Sequence, residues 1–152
     1  MFSKILAFCM SFFCIMVANA GMTAFPPPPT RALSPPGMEF YGALAVYGGY
    51  VGTKPEQIAN MIELTIVRVE RAKRMIYASV EVDKLLLRKT QNALLMLNAY
   101  RHMSHADRLF AEQKKSEGQK ELNIACEHAE RVRDLMEPSF LSLCKKSMNG
   151  QS

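Results

Sequence analysis

Three histidines, the two later cysteines and a scatter of carboxylates are the residues of this 152-residue chain that could do chemistry. His102 and His105 are three apart and so share a face if they lie on a helix, with Asp107 close by and Glu112 one or two turns on. Imidazoles and carboxylates at that spacing are what a divalent metal or an acid–base pair would use. Two surface histidines near a helix bend would show the same spacing. His128, two residues from Cys126, reads as lying on a different helix face and supplies no third ligand, so no metal site is expected. No G-x-S-x-G, H-E-x-x-H, glycine-rich phosphate loop or C-x-x-C occurs, and each of those patterns carries a defined mechanism. Neither catalytic residues nor a cofactor is expected, and the chain reads as non-enzymatic.

The first twenty residues, one lysine followed by an apolar run from Ile5 to Val17 and small residues at Ala18 and Ala20, have the pattern of a secretory signal cut before Gly21. The run is too short for the roughly 20 apolar residues that span a bilayer. Cutting there removes Cys9, Cys14 and Lys4, leaving 18 basic and 14 acidic residues and two cysteines. Two cysteines in an exported chain tend to pair, so a Cys126–Cys144 disulfide and a secreted or periplasmic location are expected.

Residues 21–52 hold six of the eight prolines and six of the eight glycines. Proline fixes the backbone and glycine frees it, so a disordered arm or tether with no regular helix is expected there. Within it, Phe25 followed by four prolines resembles the ligand of EVH1 domains. Pro26, Pro29 and Arg31 in the order P-x-x-P-x-R resemble an SH3 ligand. Both kinds of domain work in the cytosol, and an exported chain would carry this stretch as a stiff spacer.

From residue 53 the composition changes. Thr53-Lys54-Pro55-Glu56 fits a capping box with proline in the first helical turn. Apolar residues then recur at Ile58, Ile62, Ile66, Val69, Ile76 and Val80, mostly three or four apart. The glycine-free run from Lys54 to Glu117 would be about 96 Å long as one helix, so a reversal is expected. Val82-Asp83-Lys84 is the favoured site and His102 to Asp107 the second; a coiled-coil rod covered by a partner chain is the alternative. A second helix would bury Leu86, Leu87, Ala93, Leu94, Leu97, Tyr100 and Met103 on two sides. Gly118 is expected to break the pattern before a third helix, about Gln119 to Met136, with a seam of Leu122, Ala125, Ala129, Val132 and Met136; Pro138 stops it and a short last helix follows. The fold class is therefore all-α, a helical hairpin or small bundle of long helices over residues 53–152.

Charge is unevenly spread, with 12 basic and 7 acidic residues over 54–116 against 5 and 6 over 117–152. Arg68, Arg71, Lys73, Arg74, Lys84, Arg88 and Lys89 form a candidate basic surface for an anionic membrane or glycan. Interleaved acids weaken it, and export argues against nucleic acid. The first expectation is a protein that works by protein–protein interaction, as adhesins and subunits of assembly or secretion machinery do, with homo-oligomers included. The second is a basic helical protein acting on a membrane or extracellular coat, of the build that molluscan sperm lysins share. The third is a cytokine-like receptor ligand, which would call for long connections between parallel helices.

Overall fold

The computed structural model describes residues 33–49 and 55–149. Five α-helices and one 3-10 turn account for nearly all of these residues, and no strand occurs among them: α1 (Pro35–Gly49), α2 (Pro55–Ala78), α3 (Lys84–Ala111), α4 (Lys115–Arg131), the turn Arg133–Leu135 and α5 (Pro138–Asn149). The expected all-α architecture is present, and each helix packs chiefly on its neighbour in the chain. The signal segment, the motif residues Phe25, Pro26, Pro29 and Arg31, and Thr53 of the capping box lie outside the described residues.

The main correction concerns the arm, because its second half is the helix α1. Pro35 and Pro36 occupy the first turn, where a missing N–H costs nothing. The next residues place Phe40, Ala43, Leu44 and Tyr47 on one face, all buried. Glycine inside a helix costs about 1 kcal/mol, whereas each large apolar side chain buried returns about 1.5–3 kcal/mol, so packing outweighs local propensity. Gly42 has a further use: a Cβ there would meet Arg68 Nη2 at 3.3 Å. Its absence lets the Arg68 guanidinium lie along α1, where Arg68 Nε donates to Glu39 Oε1 at 3.1 Å.

α2 buries Ile58, Ile62, Val69 and Ile76 of the expected stripe, together with Thr65 and Ala72, while Ile66 is half-buried against the core. Val80 is instead fully exposed, because α2 ends at Ala78, where the Ser79 backbone N–H donates to Ile76 O and the Ser79 hydroxyl to Met75 O. The chain reverses over Ser79–Asp83, at the favoured site. Asp83 caps α3 by accepting from the Leu86 N–H at 2.9 Å. The other candidate, His102 to Asp107, lies inside α3, which runs on to Ala111 and is buried on two sides from Leu86 to Leu109.

The next reversal falls at Gln113, before the expected Gly118. Gln113 takes φ 62°, while the Gln113 N–H donates to Phe110 O and the Lys114 N–H to Leu109 O. This pair of bonds is the Schellman arrangement, which closes a helix with one left-handed residue. Gly118 sits buried within α4, where a Cβ would meet the Phe110 ring at 3.0 Å. It serves close approach of α4 to α3 and does not break the helix. Val132 and Met136 of the expected seam are buried but lie past the end of α4. Pro138 opens α5 instead of stopping α4.

Cys126 and Cys144 are joined by a disulfide, with Cα atoms 5.5 Å apart. Apart from Cys144, α5 buries only Phe140, whose ring meets Tyr100 edge-on at 5.3 Å. Tyr47 and Tyr100 both keep buried hydroxyls without a hydrogen-bond partner, and burial pushes both phenols well above their ordinary range. No helix among the described residues is long and apolar enough to cross a membrane.

Candidate functional site

Towards the C-terminal end of α3, the facing helices α2, α3 and α4 enclose an open groove of about 820 Å³. Glu56, Asn60 and Glu63 line it from α2, Arg101, His102, His105, Asp107 and Arg108 from α3, and Glu121 from α4. Glu121 is the residue that organises the histidines. Its Oε2 lies 2.6 Å from His102 Nδ1 and 3.4 Å from His105 Nδ1. A carboxylate only accepts, so His102 presents a protonated Nδ1 to it. The bond from His102 holds the Glu121 carboxyl below its ordinary range, against a smaller opposing effect of burial.

His128 belongs to the same cluster, contrary to the expectation that it stands apart. It lies seven residues after Glu121, two turns along α4, and stacks on the His102 ring with centroids 5.6 Å apart and planes 16° from parallel. The useful sequence signal was the spacing to Glu121; the spacing to Cys126 misled. Burial lowers the His128 pKa first, and the neighbouring His102 lowers it further, which favours a neutral ring beside its partner. Glu112 is elsewhere, capping α3 on the exposed surface and pairing with Lys114 at 2.8 Å.

Asp107 is the chemically unusual member. Burial raises its carboxyl from 3.8 to about 6, and it has no hydrogen-bond or ion-pair partner among the described residues. The described residues contain no group of three or more histidine, cysteine or carboxylate side chains placed to hold a metal ion. Nor does any hydroxyl or thiol among them hydrogen-bond to an imidazole nitrogen, as a base-activated nucleophile would.

The seven candidate basic residues do not form one stripe. Arg68 and Arg71 turn to Glu39 at 3.1 and 3.9 Å, and Lys73 to Glu70 at 3.9 Å. Lys89 donates to the Tyr41 hydroxyl at 3.0 Å with its ammonium over that ring. Arg74, Lys84 and Arg88 are exposed and make no ion pair among the described residues. They cluster where α2 gives way to α3, around exposed Tyr77, Val80, Val82 and Leu85. Leu64 and Val67 on α2 and Met38 and Val46 on α1 are exposed as well. The sequence carried a signal for Leu64 and Val67, which fall off the helical face marked by Ile58, Ile62 and Val69.

The chain matches no family model, no curated protein and no solved structure.

Proposed function

We propose that the chain is exported under its N-terminal signal and works without catalysis, by contact with a protein partner through the α1–α2 side and the turn into α3. One observation carries this reading: eight of the nine exposed large hydrophobic side chains among the described residues lie between Met38 and Leu85. Scattered apolar residues are normal on a surface, whereas a concentration of them on one region marks a site of interaction. The disulfide supports export, because such bonds persist in oxidising compartments.

A photo-crosslinking amino acid placed at Val67 or at Val80 is expected to give discrete adducts in the exported fraction, while the same group at Glu130 on α4 gives none. Equal labelling from all three positions, or none from any, defeats the reading. N-terminal sequencing of the exported protein is expected to begin at Gly21.

An anionic membrane or glycan is the second reading, favoured by the cations Arg74, Lys84 and Arg88 beside apolar Val80 and Leu85. The cytokine-like reading called for long connections, and the reversals after α2 and α3 take only a few residues each.

A further inference from the structure

The two ends of the α2–α3 pair differ in charge and in shape. At one end is a tip made by Tyr77, Val80, Val82 and Leu85, all exposed, with Arg74, Lys84 and Arg88 beside them and without ion pairs among the described residues. At the other is the groove, with the carboxylates of Glu56, Glu63, Asp107 and Glu121 set against the guanidinium groups of Arg101 and Arg108. Arg101 is already turned to Glu63 at 3.8 Å. Glu56 and Asp107 make no ion pair among the described residues. The groove is thus an acidic recess in a chain whose net charge is +5.

Glu63 lies fifteen residues of helix, about 22 Å, before Ala78, the last residue of α2, and Val80 lies beyond that end. One molecule cannot seat its own tip in its own groove. We propose that the α2–α3 tip of one molecule docks in the α2–α3–α4 groove of a second copy, so that chains associate head to tail. This rests on the reading that the protein works by contact, and it names the partner.

The match is one of opposite charge around an apolar centre. Lys84 and Arg88 supply the cations that Glu56 and Asp107 lack, and a cation beside Asp107 offsets what burial costs its carboxylate. The tip's exposed Glu81 has a counterpart in Arg108, exposed where it lines the groove. Asp83 is occupied in capping α3. Val80 and Leu85 would be covered against Ala59 and Ala111, which also line the groove. Because the two surfaces of the contact differ, it does not close on itself in a pair, and each dimer retains an open tip and an open groove.

The experiment is sedimentation velocity of the exported chain over a wide concentration range, in low and in high salt. Two variants accompany it: a tip variant (Val80→Ser, Lys84→Gln, Arg88→Gln) and a groove variant (Glu56→Gln, Asp107→Asn), each checked for native helicity by circular dichroism. The unsubstituted chain is expected to grow in mass with concentration, with about tenfold weaker association in high salt. Each variant alone should remain a monomer. A mixture of the two should form a dimer and stop there, because only one intact tip and one intact groove can meet. An unsubstituted chain that stays monomeric, or association untouched by both variants, overturns the proposal. So does binding of the monomer through Val80 to phosphatidylglycerol vesicles. A monomer that still yields a discrete adduct with a different protein at Val80 overturns the second-copy proposal alone, whereas one that yields no adduct from Val67 or Val80 overturns the contact reading too.

Discussion

Towards α1 and α2 the core is built from large apolar side chains, Phe40, Tyr47, Ile58, Ile62, Val69 and Ile76, whereas α4 contributes mainly small ones, Gly118, Ala125 and Ala129, with Cys126 and Leu122. The N-terminal side holds by area. Its surface salt bridges, Glu39 with Arg68 and Arg71, add little, since exposed pairs contribute about 0–1 kcal/mol. The C-terminal side holds by close approach, by a polar cluster around Glu121, and by one covalent bond. The difference extends to the outside: apolar side chains are left exposed along α1, α2 and the turn, while among the described residues Met148 is the one exposed large hydrophobic beyond Leu85. The apolar surface left on the side that relies on burial is what the proposed contact would cover.

The largest expected effect is at Phe40. If α1 is held by area, Phe40→Ala should destabilise by about 3–5 kcal/mol, seen as a lower urea midpoint with an unchanged slope. A loss under about 1 kcal/mol would mean that α1 is peripheral and the comparison fails. Replacing both cysteines, Cys126→Ser with Cys144→Ser, should cost about 3 kcal/mol for a bridge spanning 18 residues. Hydrogen exchange should show that loss first in α5, which has Phe140 as its remaining buried anchor.

A smaller effect tests the polar cluster through pH. The Asp107 carboxyl, raised from 3.8 to about 6 by burial, binds its proton more tightly in the folded chain than in the unfolded one. Folding is therefore favoured as pH falls through that window, and the ionised form costs stability above it. Asp107→Asn is expected to stabilise by about 1–2 kcal/mol at pH 7.5, with the advantage gone by about pH 4. His128 acts in the opposite sense: its depressed pKa means stability is lost as pH drops below the ordinary histidine range. Thermal melts of both proteins across this range separate the two. The smallest effect belongs to the α3–α4 reversal, where Gln113→Gly should stabilise by about 0.5–1 kcal/mol, because glycine enters the left-handed region without strain.

The long helices were legible because their apolar spacing is regular and because Asp83 is a good cap at the place where the stripe is interrupted. α1 was not. Its prolines and glycines argue against helix residue by residue, and its stability comes from Phe40, Leu44 and Tyr47 meeting a surface that α2 provides. Gly118 misled for a related reason, since glycine marks both a chain break and a tight helix contact. In the groove, His102 and His105 were found by their spacing, but Glu121 and His128 come from another helix, and only the close packing of α4 on α3 shows that the three histidines are one cluster. The Cys126–Cys144 pair needed no such knowledge, because the expected removal of a leader would leave no other cysteines.

The habit of each helix packing chiefly on the next one along the chain has a kinetic side. Contacts between sequence neighbours close short loops, and chains rich in them fold in microseconds to milliseconds. If the chain is exported as proposed, N-terminus first, α1 would settle on α2, then α3, then α4, each newly emerged helix meeting a partner already in place. α5 and its thiol would arrive last, leaving oxidation as the step that completes the molecule.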